Sequence, residues 1–213
     1  MIFINKNNKH NIRNDFWIGF SDLMTGLMLV FIILSLTFMA IAKEKLDEIA
    51  EQRKNIIVIL SDALSSNDIE VEYNAEKGTV TIAQDILFEQ KQSDLKPKGK
   101  DFIELFAHIL DEKIFDNDDY KDLIKYIHIE GYASREGKVK YNFRLSFERA
   151  QSVWLDMTNK DLKNERIMKL KLNIVSRGEI EANQKVIDKN DRKVIFRFEF
   201  YDTYNKIFQG LSK

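Results

Sequence analysis

The chain has 213 residues, with 33 Lys and Arg against 34 Asp and Glu, 15 Phe, 7 Tyr, one Pro and no Cys. That aromatic content excludes disorder as a description of the whole chain, and the missing thiols exclude a disulfide scaffold, Cys-ligated zinc and a Cys nucleophile. Near-neutral net charge excludes nucleic-acid binding by bulk electrostatics, and three His leave little for a His-built metal site.

The first 15 residues are a short polar tail carrying Lys6, Lys9 and Arg13 against Asp15. Phe16, Trp17, Ile18 and Phe20 then lead into residues 23–42, LMTGLMLVFIILSLTFMAIA, 20 residues without a formal charge. At about 1.5 Å per residue such a run spans about 30 Å, the thickness of a bilayer core. A buried soluble helix seldom stays apolar on every face for so long. A cleaved signal peptide has a shorter apolar core than this 20-residue run. A single transmembrane helix over residues 16–42 is therefore expected. Lys43, Lys45, Arg53 and Lys54 on its far side nearly balance the tail, so charge alone leaves the orientation open.

Asp22 lies inside the aromatic residues that should mark the interface. A carboxylate beside a bilayer core persists only if paired, protonated or wet, which suits it to taking up and giving up a cation. The bland alternative is an acid at the headgroup boundary that merely ends the span. Ser21 and Thr25 offer hydroxyls nearby as ion-path neighbours, although a helical Thr often bonds back to its own backbone.

The string FWIGFSDLMTGLM resembles the transmembrane start of the MotB family of ion-driven motor subunits, whose core runs aromatic, small, Asp, Leu or Phe, Met, Thr. Phe20, Ser21, Asp22, Leu23, Met24 and Thr25 occupy those positions. The resemblance implies that Asp22 binds the permeating proton or sodium ion. It also implies a homodimer of such helices inside a pentamer of MotA-like membrane subunits.

After the span, KEKLDEIAEQRKNIIVILSDAL places Leu46, Ile49, Arg53, Ile56, Leu60 and Ala63 at alternating steps of three and four. Two readings of this linker helix, residues 43–68, stand level: a seam for a second chain or a gating plug, and an amphipathic helix packed on its own domain. SSND then reads as a break.

From residue 69 the pattern becomes mixed α/β. Ile69, Val71 and Tyr73 alternate with polar residues, Glu76-Lys77-Gly78 predicts a hairpin turn, and GTVTIA a second strand. Pro97 precedes a helix whose Phe102, Leu105, Phe106 and Ile109 share one face. DEKIFDNDDYKD is expected to be a loop or frayed helix with a solvated face, since its acids lack the spacing of a calcium loop. YIHIEGY is a strand in which His128 is structural. The next helix, from about Tyr141 to Trp154, is expected to share one stripe among Phe143, Phe147 and Ala150. LNIVS and KVIFRFEFY are the last strands, so the order calls for an α+β domain with a mixed sheet and helices on one face.

This segment, about residues 69–200, resembles the OmpA-like peptidoglycan-binding domain. LFEQKQSDLKPKG is similar to the stretch before that family's first helix. IEGYASREGKVKYNFRLSFERAQSV is similar to its signature, with Tyr141, Asn142, Leu145, Ser146, Arg149 and Ala150 at family spacing. SRGE and DRKVIF echo two later family turns. The resemblance implies that Tyr141, Asn142, Leu145 and Arg149 bind peptidoglycan, Arg149 taking the carboxylate of a diaminopimelate stem residue. The family's Asp, which takes the ammonium, is replaced here by Ser134, with Glu136 the nearest acid.

Together the two resemblances imply an inner-membrane protein with a cytoplasmic N-terminus, one span, and a periplasmic domain over residues 69–213. The compact build and the FWIGFSDLMT opening are most similar to the MotB-like subunits of Zorya anti-phage systems. That resemblance implies a ZorA partner and, indirectly, cytoplasmic defence effectors. A flagellar or gliding-type stator subunit and a passive tether between membrane and wall are the alternatives. No phosphate loop, nucleophile elbow or metal quartet is apparent, so neither catalysis, a cofactor nor direct nucleic-acid binding is expected.

Overall fold

The computed structural model describes residues 8–66 and 71–202, with side chains of the first helix from residue 16 onward. Most of the tail, the start of the expected strand at Ile69, and residues 203–213 lie outside the described residues. The chain divides into two compact units, Met1–Glu48 and Ile49–Lys213.

In the first unit, helix α1 (Asn8–Ser65) forms because Leu, Met, Ile and Phe follow one another without a Pro. No side chain from residue 16 to residue 48 is buried, and this stretch is long and apolar enough to cross a membrane. Two of its hydroxyls bond back to the backbone: Thr25 Oγ1 donates to the Ser21 carbonyl and Thr37 Oγ1 to that of Ile33, each at 2.8 Å. Such a bond satisfies a hydroxyl without the help of water.

The second unit takes in the end of α1. Ile56, Ile57, Leu60 and Leu64 are completely buried in the same core as the sheet. Of the residues read above as a seam, Ile56 and Leu60 are spent in the domain's own core, and Ile49 and Ala63 pack partly against it. Arg53 is engaged within the domain: it donates to the Tyr201 carbonyl, and its guanidinium lies 5.4 Å over the Phe200 ring. The helix is thus packed on its own domain, and the compact unit begins some 20 residues before the boundary expected from sequence.

The sheet has five strands: β1 (Glu72–Asn74), β2 (Thr79–Ala83), β3 (Ile124–Tyr132), β4 (Leu172–Gly178) and β5 (Lys193–Phe200). Their order is β1-β2-β5-β3-β4, antiparallel except for the parallel pair β3–β4. The β1–β2 turn is the one expected: Gly78 has φ +64°, and Asn74 Oδ1 accepts from the Lys77 N–H at 2.8 Å. Alternation sends Val80, Ile82, Ile127, Ile129, Val194, Phe196 and Phe198 into the core.

Helices α2 (Gln84–Leu87), α3 (Pro97–Ile109), α4 (Asp118–Lys121), α5 (Val139–Thr158) and α6 (Glu165–Lys171) complete the unit. Phe106 of α3 sits 4.4 Å, centroid to centroid, from Phe196 of β5. Each such ring contributes about 1.5–3 kcal/mol by leaving water.

Two local expectations fail. The acidic stretch after α3 is a π-helical turn, Leu110–Phe115, with Leu110, Ile114 and Phe115 buried. Asp111 is buried too, because its carboxylate accepts the N–H groups of Lys163 and Asn164 at 2.8 Å each and so holds the approach to α6. On α5 the buried stripe is Leu145, Ala150, Val153 and Met157, while Phe143 and Phe147 are 53% and 42% exposed.

Candidate functional site

Two places carry the residues singled out from sequence. On α1, Asp22 lies one helical turn from Thr25 and beside Ser21, flanked by the ring cluster Phe16–Trp17–Phe20, whose centroids are 6.1 to 6.5 Å apart. Asp22 is exposed, and among the described residues no hydrogen bond reaches its carboxylate.

The other place is in the domain, where β3 delivers its chain to α5. A Cβ on Gly131 of β3 would come within 2.0 Å of the Ser146 carbonyl oxygen, so only glycine lets α5 lie so close to the strand. The α5 backbone is then bolted to the end of β4. Ser146 Oγ and Ser176 Oγ are 2.7 Å apart, both reach the Phe143 carbonyl (2.9 and 2.7 Å), and the Gly178 N–H donates to Ser146 Oγ at 3.0 Å. Asn142 Nδ2 donates to Glu179 in the turn that follows.

This fixed helix aims Arg149 inward, where it is only 2% exposed. Its Nε donates to the Gln92 carbonyl at 2.9 Å and its Nη1 to Gln84 Oε1 at 3.2 Å, with the Phe88 ring 5.4 Å from the guanidinium carbon. Burial, with Arg192 nearby, pushes its pKa down to about 10 against the pull of Tyr141, so the group stays cationic at neutral pH. Lys91 adopts φ +60°, a left-handed backbone in the turn that presents the Gln92 carbonyl.

Arg149, Tyr141, Asn142 and Leu145 all line one narrow cavity of about 40 Å³, together with Lys91, Ala133, Ser134, Glu136 and Arg192. Three cations thus face a single carboxylate, and Glu136 is itself 3.9 Å from Lys91 Nζ. The arrangement can hold a carboxylate through Arg149 and Arg192 and an ammonium through Glu136.

A family model described as the OmpA family matches residues 87–194, the span that contains the whole cavity. The chain belongs to the OmpA family. Two curated relatives are both called Zorya protein ZorB. One, from Escherichia coli strain Crooks, is 34% identical over 140 residues, covering 60% of this chain and 57% of that protein. The other, from an Escherichia coli ETEC strain, is 21% identical over 95% of this chain and 87% of that protein. The first match therefore takes in little more than half of that relative's length. Among solved structures, one described as MotB like from Desulfovibrio vulgaris superposes with a TM-score of 0.52 over 76% of this chain and 97% of that chain. At 15% identity that likeness is one of fold.

Within this OmpA-family domain the sequence motif had pointed at the helix face but not at the groups opposite it. Lys91, Arg192 and the two oxygens that grip Arg149 come from turns and strand ends far apart in the chain. A second cluster also went unread. Glu130, 0% exposed in the middle of β3, accepts Arg177 Nη2 at 2.5 Å, Arg197 Nε and Nη2 at 3.1 and 3.0 Å, and the Tyr132 hydroxyl at 2.8 Å. Burial pushes its carboxyl up, but the hydrogen bonds from Arg197, Arg177 and Tyr132 outweigh that and hold it below the usual range. One signal was available: a Glu inside the apolar run YIHIEGY. His128, two residues earlier, pairs its ring nitrogen with Glu199 at 2.9 Å, a structural partner as expected.

Proposed function

We propose that this chain is the membrane-anchored, wall-tethered subunit of an ion-driven motor of the MotA/MotB type, working in Zorya anti-phage defence. The carrying observation is that Tyr141, Asn142, Leu145 and Arg149 converge on one cationic cavity in a chain that also has a span-length apolar helix bearing Asp22. The names of the curated relatives support the Zorya setting.

In this reading the N-terminus is cytoplasmic, α1 crosses the inner membrane, and the OmpA-family domain is periplasmic. Asp22 binds and releases a proton or sodium ion supplied between two copies of α1 and the surrounding MotA-like (ZorA) subunits. Ser21 and Thr25 lie along the ion's path. An ion running down its gradient does mechanical work only against a fixed point, and the wall supplies it. Arg149 and Arg192 take a stem-peptide carboxylate, and Glu136 stands in at Ser134's expense as the acceptor of the ammonium.

Two substitutions test the two halves. Arg149→Ala should lower retention of the full chain on purified sacculi by about tenfold, whereas undiminished retention removes the wall site. Asp22→Asn should abolish ion flux through the reconstituted complex, and with it protection against phage, while the complex still assembles. Intact protection by that variant would leave only the passive tether.

A further inference from the structure

Next to the Arg149 cavity, on the outer side of α5, lies a groove of about 530 Å³ lined by Lys138, Lys140, Tyr141, Phe143, Arg144 and Phe147. Three aromatic rings in the first half of one helix are left 38%, 53% and 42% exposed at Tyr141, Phe143 and Phe147. This is not slack at a helix end. The Phe143 carbonyl is gripped by the Ser146 and Ser176 hydroxyls, and a Cβ on Gly178 would meet the Phe143 Cα at 3.4 Å. With that backbone fixed against β4, the ring lays one edge beside Gly178 and leaves the rest to solvent. Arg144 adds a cation 5.9 Å over the Tyr141 ring, and Lys138 and Lys140 complete a basic rim.

We propose that this groove is a second subsite of the wall site, a shelf for the glycan of the same peptidoglycan molecule whose stem peptide enters the Arg149 cavity. Tyr141 lines both the cavity and the groove, so the two adjoin at that ring. Sugar rings present apolar C–H faces that stack on aromatic rings, and N-acetyl methyl groups add apolar area. Lys138 and Lys140 on the rim can donate to sugar hydroxyls and N-acetyl carbonyls, while Arg144 is paired with Glu148 at 3.4 Å. A planar bilayer offers aromatic and basic groups the same chemistry, but a shelf that adjoins the Arg149 cavity at Tyr141 suits a ligand that reaches both.

The inference rests on the wall-binding reading, and the test separates the two. The full chain in detergent is titrated with a disaccharide–tetrapeptide released from sacculi and, separately, with the free tetrapeptide. The disaccharide form should bind about tenfold more tightly. Phe143→Ala with Phe147→Ala should erase that advantage and leave tetrapeptide affinity unchanged, whereas Arg149→Ala should weaken both ligands. Equal affinity for the two ligands, or a double variant that keeps the advantage, overturns the shelf; failure of both ligands to bind the unaltered chain overturns the wall reading beneath it. Because the chain has no Cys, Phe143→Cys gives a unique thiol. Its labelling should be slowed by the disaccharide form and not by tetrapeptide. Protection by a lipid nanodisc alone would assign this face to the membrane and overturn the proposal.

Discussion

Asp22 and Glu130 are the two acids set in the most apolar stretches of the sequence, and the molecule treats them in opposite ways. Glu130 is fully enclosed, and four hydrogen bonds from Arg177, Arg197 and Tyr132 satisfy its oxygens. Asp22 stands exposed on α1, and none of the described residues donates to it. An acid whose needs are met by its own chain is part of the fold. One left unmet is open to a partner, water or an ion, which is the ground on which an ion-binding role is proposed for it.

The sharpest way to break this contrast is at Glu130. Glu130→Gln should destabilise the domain by about 3 kcal/mol, the low end for breaking a buried pair, because Arg177 and Arg197 are 40% and 34% exposed and partly screened. Denaturant unfolding of the full chain in detergent measures it, and a loss below about 1 kcal/mol would make the cluster ornamental. The same carboxyl gives a pH signature. Its pKa is lowered on folding, so its contribution is present above the ordinary Glu range and lost as pH falls through the lowered value. Between about pH 5 and pH 3 the unaltered chain should lose stability more steeply than Glu130→Gln does; parallel curves would show that Glu130 titrates as an ordinary acid.

A smaller effect is expected at Arg53. Arg53→Leu should cost about 1 kcal/mol, through loss of the bond to Tyr201 and the contact with Phe200, and should leave the association of chains unchanged. Tighter association on a sizing column would restore the seam reading of this helix. The smallest effect belongs to Asp22→Asn, which should leave the unfolding midpoint of the domain where it was while ion flux disappears. A shift of that midpoint would mean that Asp22 is structural after all.

The long apolar helix, the five strands and the motif helix were all readable in the chain, because each rests on a local pattern: an unbroken apolar run, alternation by two, or a fixed motif spacing. The misreadings share one cause. Periodicity shows which residues share a face but not what covers that face. Phe143 and Phe147 share a stripe, yet it is the stripe through Leu145 and Ala150 that meets the sheet, since Gly131 and the Ser146–Ser176 bolt fix the roll of α5. For Ile56 and Leu60 the spacing left a second chain and the domain's own core level as readings, and the core takes both residues. Asp111 looked solvated because the two N–H groups it holds lie more than 50 residues away.

By itself, then, the sequence determined that one helix is apolar enough to cross a membrane, that an acid sits near its start, and that a mixed-sheet domain with Arg149 on a helix follows. Those properties are set by composition and short-range spacing. Only the tertiary structure decided that Lys91, Glu136 and Arg192 close around Arg149, that Glu130 is a structural hub, and that two phenylalanines face outward. The reason is that a cavity is made by groups from distant turns, and their meeting depends on how tightly backbones approach, down to the single glycine that lets α5 lie against β3.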